Sequence, residues 1–300
     1  MFSRVRKFTS RLMSVMGVAV VVATSAAVAQ DLFDIPAADL PSSVTLEGGG
    51  DAAGSRSLTL QGDVGLRSGM RIRAGYANAR VDSSSVNYAG DTYWAGLNSD
   101  SLAPLSYGAT YELMERDDGI RAGALKTNLR WRFNDWRLVA YPELHSITLT
   151  ETQVAKKGNV VRTVQTTVRS PGLGAGVTYT GVDAWSFAFR HFVYRYETDA
   201  QTLRSHPAFV RLVASHVDQS FDASRSAINV DYAPSWGSVG IEATRSVSAV
   251  DHTIARSLAV NLNWDVSSAW TAFAHVGRSR ADGIAATGFV AAGLTWMWDE

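Results

Sequence analysis

Thr287-Gly288-Phe289-Val290-Ala291-Ala292-Gly293-Leu294-Thr295-Trp296-Met297-Trp298 is the stretch whose period decides the fold. Taken two by two, Val290, Ala292, Leu294, Trp296 and Trp298 share one face, and Ala291, Gly293, Thr295 and Met297 share the other. Successive side chains of a strand point to opposite sides. A strand of about twelve residues with a greasy face, a smaller and mostly polar face, and tryptophans at one end suits a sheet whose outer surface meets lipid.

The same period recurs upstream. In 57–66, Leu58, Leu60, Val64 and Leu66 oppose Ser57, Thr59, Gln61 and Asp63. In 253–265, Ile254, Leu258, Val260, Leu262 and Trp264 oppose Ser257, Asn261, Asn263 and Asp265. Helical periodicity is nearly absent. The spacing predicts strands at 43–48, 55–66, 69–81, 88–98, 105–116, 119–133, 135–154, 159–180, 184–198, 222–233, 236–249, 253–265, 269–280 and 286–298. The expected fold is therefore all-β, a closed antiparallel barrel of about fourteen strands. Because the first segment, 43–48, is short, twelve is the alternative count. The run Phe189-Arg190-His191-Phe192 interrupts the alternation, and a bulge is expected there.

Connectors support closure. Tight turns at Arg67-Ser68-Gly69, Asn134-Asp135, Gly181-Val182-Asp183, Pro234-Ser235 and Ser267-Ser268 alternate with mostly polar connectors at 82–87, 116–119, 155–159, 199–221, 249–252 and 281–285. Short turns at one end and longer loops at the other are the asymmetry of a membrane barrel. A soluble sandwich also has alternating strands, but three features weigh against it. The apolar faces carry aromatics near the short turns (Trp131, Phe133, Trp136, Trp185, Trp236, Trp264, Trp270, Trp298), the opposite faces carry charge that a dry core would bury at high cost, and several segments exceed the usual strand length.

The chain begins with Arg4, Arg6, Lys7 and Arg11, an apolar run from Leu12 to Ala23, and Ala27-Val28-Ala29 before Gln30. A basic region, an apolar region and an A-x-A site make a secretory signal peptide, expected over 1–29, followed by a short periplasmic leader at 30–42 and the barrel at 43–300. Removing those four basic residues from 28 leaves 24 Lys+Arg against 28 Asp+Glu, a formal charge of −4. That balance argues against a nucleic-acid partner. The chain has no cysteine, so disulfides and thiolate metal sites are excluded. No metal-ligand spacing or cofactor motif is present.

Gly293-Leu294-Thr295-Trp296-Met297-Trp298, with Gly293, Trp296 and Trp298 at the decisive positions, resembles the terminal signal strand of Gram-negative outer-membrane barrels. The resemblance implies an outer-membrane location, lipid as surroundings, and the Sec translocon and the barrel-assembly machinery as partners. Here Asp299 and Glu300 follow the terminal aromatic, a departure from the family pattern.

A barrel of fourteen strands is too wide to be filled by its own side chains, unlike one of eight. Alternation assigns Arg71, Arg73, Lys126, Arg130, Arg132, Arg137 and Arg190 to the lumen, with Asp63, Glu112, Glu143, Asp231, Glu242 and Asp265. Arg71, Arg73, Arg130, Arg132 and Arg137 form either a basic ring at the periplasmic mouth or one half of an ion-pair network with Asp63, Asp231 and Asp265. The loop 199–221, with Ser205, Pro207, Phe209, Arg211, Leu212, Val213 and Val217, reads as a short capped helix that either constricts the pore or caps the surface. Trp94, Tyr141 and Phe273 are luminal aromatics, a stacking track or plain packing.

Catalysis finds little support. His145-Ser146, His191, His206, His216, His252 and His275 show no spacing that brings a nucleophile to a base and an orienting partner. His145 is expected to line the lumen beside Glu143. Gly172, Gly174 and Gly176 read as room on the inner wall. The function expected first is a passive or weakly selective, porin-like channel for small solutes. Its alternatives are a closed barrel serving an export or envelope-assembly pathway, for example polysaccharide export, and an outer-membrane lipid hydrolase.

Overall fold

A computed structural model describes residues 41–298 other than 67–68, 83–86, 100–103, 118, 155–160, 198–220, 250–251 and 284. Fourteen strands follow one another: β1 (Ser42–Asp51), β2 (Ser55–Leu66), β3 (Met70–Asp82), β4 (Asn87–Ser99), β5 (Leu105–Arg116), β6 (Ile120–Phe133) and β7 (Trp136–Val154). They continue with β8 (Val161–Val182), β9 (Trp185–Tyr194), β10 (Asp222–Tyr232), β11 (Gly237–Ser248), β12 (Ile254–Ser267), β13 (Trp270–Ala281) and β14 (Thr287–Trp298). Each pairs with its sequence neighbours, and β14 returns to β1, closing the sheet. The seam is antiparallel and continuous, from Ser42 opposite Trp298 to Asp51 opposite Phe289.

The alternation read from the sequence is the alternation of the wall. Along β14, Val290, Leu294 and Trp296 are 53%, 50% and 45% exposed, while Phe289 and Ala291, on either side of Val290, are buried. The same inversion holds on every side of the barrel: Leu58, Tyr107, Leu173, Ile241 and Leu258 point outward into the surroundings. A water-soluble sandwich would turn these faces inward. A single closed sheet with an apolar exterior belongs in hydrocarbon, where unpaired backbone groups are not tolerated.

One end carries the short turns. There Trp131, Phe133, Trp136, Trp185, Trp236, Trp264, Trp270 and Trp296 are exposed on the outer face. Their rings meet in neighbouring pairs, Trp131 with Phe133 at 5.1 Å, Trp270 with Trp296 at 6.4 Å and Trp296 with Trp298 at 4.9 Å between centroids. This is an interfacial girdle. At the β6–β7 turn Asn134 adopts φ 48°, a left-handed geometry that asparagine accepts more readily than most residues.

Two expectations are corrected. β1 spans ten residues and is paired on both edges, so the count is fourteen and the twelve-strand alternative falls. No bulge interrupts 189–192: β9 runs in unbroken register against β10 and, from Phe187, against β8. Phe189, His191 and Val193 face out while Arg190, Phe192 and Tyr194 face in. The break was apparent because aromatics fill two inward positions and a histidine an outward one. Register shifts fall instead between Tyr179 and Val182, Asp222 and Ser224, and Asp265 and Ser267, near strand ends. β9 also ends at Tyr194, short of 198. The expected signal peptide, the expected leader up to residue 40 and the loop segment with Pro207, Phe209, Arg211 and Leu212 lie outside the described residues.

Val260 faces outward on β12, four residues from Trp264 and four from Arg256, near mid-height of the wall. Val260→Arg is expected to destabilise the folded barrel by about 2–4 kcal/mol in lipid vesicles. Urea unfolding followed by tryptophan fluorescence measures this; a cost near zero would place that face away from hydrocarbon.

Candidate functional site

The candidate site is the inner wall, and its charges sort by height. Near the short turns, Arg71 Nε donates to Asp63 Oδ1 at 2.6 Å and Arg73 Nε to Asp63 Oδ2 at 3.0 Å. Arg71 also donates from Nη2 to the Pro41 carbonyl at 3.0 Å, tying the start of β1 to β3. Asp63 and Arg73 are direct cross-strand partners, so the pairing follows from register alone. Asp231 sits elsewhere on the circumference with neutral partners, Asn229 and Ser186, and Asp265 accepts from Thr271 at 3.0 Å. The expected network is thus real for Arg71 and Arg73 through Asp63. It does not gather Asp231 and Asp265 into the same set of contacts.

Arg130, Arg132 and Arg137 collect on β6 and β7, with Arg132 directly opposite Arg137. Higher on the wall, Lys126 Nζ donates to Glu112 Oε2 at 2.8 Å. Glu143 Oε2 accepts from the Tyr194 hydroxyl at 2.9 Å and lies 2.9 Å from His145 Nε2. His145 therefore lines the lumen beside Glu143, as expected. Arg225 spreads over the Phe192 ring at 4.8 Å and reaches toward the Tyr194 hydroxyl, and Tyr141 meets Phe192 at 5.3 Å. Sequence reading assigned Glu112, Lys126 and Glu143 to this wall and overlooked Phe192, Tyr194 and Arg225. Strict alternation through β9 was the signal that finds the first two. Glu242 is buried on β11 opposite Asn229.

Luminal rings lie on glycines. Trp94 faces Gly75, Tyr194 faces Gly172, Phe192 faces Gly174, Phe289 faces Gly277 and Phe273 faces Gly293, each as a direct cross-strand partner. A Cβ at Gly174 would overlap the Phe192 ring. The missing side chains let the rings lie flat along the wall, the aromatic cover of glycine known from β-sheets. Gly172, Gly174 and Gly176 thus provide room, as read, and Trp94 and Phe273 are packed against the sheet.

Solvent reaches the inner wall unevenly. On β3, β5 and β6, the side chains of Arg73, Glu112 and Lys126 are 29%, 31% and 31% exposed. Elsewhere on the wall, on the same strands as well as across the barrel, Arg71, Arg116, His145, Asn229, Asn261 and His275 are buried. Gln61 Oε1, Asn229 Oδ1, Asp231 Oδ1 and Asn261 Nδ2 are buried without a hydrogen-bond partner among the described residues. Each such atom costs about 1–3 kcal/mol while it stays unpaired.

Histidine contacts do not assemble a nucleophilic site. Ser146 lies on the face opposite His145. His191 Nδ1 is 2.9 Å from Ser226 Oγ on the outer face, and no carboxylate or amide orients its other nitrogen among the described contacts. His275 Nδ1 is 2.8 Å from Asn261 Oδ1. His206 and His216 lie outside the described residues. Among the described residues no group of three His, Cys, Asp or Glu could hold a metal ion.

No family model and no curated protein matches this chain. Solved structures do. The CymD monoaromatic hydrocarbon channel superposes with a TM-score of 0.59 at 9% identity, over 91% of this chain and 93% of that one. OmpT of Vibrio cholerae, as a loop L8 deletion mutant, gives 0.48 at 8% identity, over 87% and 98%. The KdgM porin gives 0.42 at 11% identity, over 85% and 99%. At such identities the likeness is one of fold: a closed antiparallel barrel of the outer-membrane kind.

Asp63→Ala leaves Arg71 and Arg73 facing each other with their carboxylate gone. The expected loss is roughly 3 kcal/mol in urea titration of the vesicle-embedded protein, and adding Arg71→Met should restore part of it. An Asp63→Ala variant as stable as the parent would show that the pair carries no net weight.

Proposed function

We propose that the protein is an outer-membrane channel, passive or weakly selective, for small solutes. The observation that carries this reading is the inner wall of the closed barrel, lined by charged side chains such as Arg73, Glu112 and Lys126 that stay partly open to solvent. The apolar exterior and aromatic girdle support the location, and the fold shared with the CymD channel supports the class. Under this reading residues 1–29 are cleaved on export through the Sec translocon. The Gly293–Trp298 strand is then read by the barrel-assembly machinery. Packing at the closing seam separately favours glycine at 293, since a Cβ there would overlap the Leu46 carbonyl and the Phe273 ring.

Arg130, Arg132 and Arg137 are then an anion-attracting patch at the periplasmic mouth. Among the described residues no third group orients the outer-face His191–Ser226 pair as a hydrolase would need.

Purified, folded protein in planar bilayers should give discrete conductance steps. Absence of steps above leak would overturn the channel reading in favour of a closed export or assembly barrel. Arg132→Glu with Arg137→Glu should lower the anion-to-cation permeability ratio severalfold, measured as a reversal-potential shift in a salt gradient. An unchanged ratio would remove these arginines from the permeation path.

A further inference from the structure

The outer face carries a feature that the channel reading does not use. At the end opposite the tryptophans, Arg245 on β11 is the direct partner of Arg256 on β12, and Arg256 is the direct partner of Arg280 on β13. All three are exposed and share the outward phase of Ile241, Leu258 and Val276. Arg278, also outward and exposed, stands one step lower on β13. Around the barrel, Arg56 and Arg80 form a second outward pair in direct register on β2 and β3.

Like charges placed opposite one another across a ladder destabilise it. The neighbouring acid does not neutralise the row: Arg256 Nη1 reaches Asp282 Oδ1 at 3.3 Å, with both side chains 55% exposed. Such an exposed pair contributes about 0–1 kcal/mol. Among the described residues neither Arg245 nor Arg280 has a carboxylate partner. A row of guanidinium groups at cross-strand spacing instead matches phosphate oxygens, which arginine binds through two parallel hydrogen bonds.

Position selects the source of the phosphate. Arg256 lies eight residues along β12 from Trp264, and Arg280 lies ten along β13 from Trp270. At ~3.3 Å per residue and a tilt of about 40° that is roughly 20–25 Å of height, the thickness of the apolar band of a barrel. The arginines therefore stand at the far interface, where lipid headgroups ring the wall. They face away from any solute in the lumen.

We propose that the Arg245–Arg256–Arg280 row is a docking surface for the phosphate groups of a lipid headgroup in the outer leaflet. The proposal needs the barrel to sit in a membrane and does not need it to conduct, so lipid binding and conductance fail independently.

The test uses the full folded protein in zwitterionic detergent, titrated with diphosphorylated lipid A and with the same lipid stripped of phosphate, bound lipid being counted by native mass spectrometry. The phosphorylated lipid should bind at least about tenfold more tightly. Arg245→Gln with Arg256→Gln and Arg280→Gln should abolish that preference, and the corresponding triple lysine variant should keep part of it. Heat-modifiable gel migration reports folding. Should the triple glutamine variant not fold, Arg245→Gln alone must weaken binding about threefold. Equal binding of the two lipids by the parent, or an unchanged preference in the folded glutamine variants, would overturn the proposal. So would displacement of the lipid by millimolar inorganic phosphate, which would assign the row to a free anion.

Discussion

Closure is the constraint on which the rest depends. In hydrocarbon a strand edge has no water to bond, and each orphaned backbone group costs several kcal/mol. A sheet can span a membrane only by returning to its own first strand. Here that return is made by β14 against β1, ten residue pairs without a shift. The seam explains why β1, with glycines at three consecutive positions, is a full strand despite a weak apolar signal. Its membership was decided by the need of β14 for a partner, not by its own pattern.

Once closure is imposed, parity does the remaining work. Each residue faces outward or inward: the outer face is mostly apolar between its interfaces, and the inner face mixes polar side chains with rings and small apolar groups. The charged residues on the inner side then meet through register: Asp63 with Arg73, and Glu112 and Lys126 on adjacent strands, become neighbours because the ladder puts them there. The tryptophans at one interface and the arginines at the other give the wall a direction. The two ends thus differ in chemistry as well as in connector length.

This parity is why so much of the wall was legible beforehand. The phase of Leu58, Leu258 or Trp296 is local and survives any arrangement of the other strands. What a linear reading missed depended on distant partners. The run Phe189–Phe192 looked like a disturbance in β9 because nothing local shows what receives an inward ring there; the glycines that receive Phe192 and Tyr194, Gly174 and Gly172, lie on β8. Likewise nothing local tells that Arg71 and Arg73 are engaged by Asp63 while Asp231 turns to Asn229 and Ser186. Nor does the spacing of single arginines reveal that Arg245, Arg256 and Arg280 stand side by side. That emerges only when two registers are laid together.

The rings lying on glycines separate two properties that a barrel usually links. The circumference is set by strand number and stagger, but the free cross-section at Gly174 or Gly75 is set by whether one ring lies down, stands up or is replaced by a small side chain. Exchanging Phe192 for alanine would widen the passage locally while every ladder hydrogen bond stays in place. The width of the lumen at these levels is therefore adjustable one residue at a time, with no change of architecture.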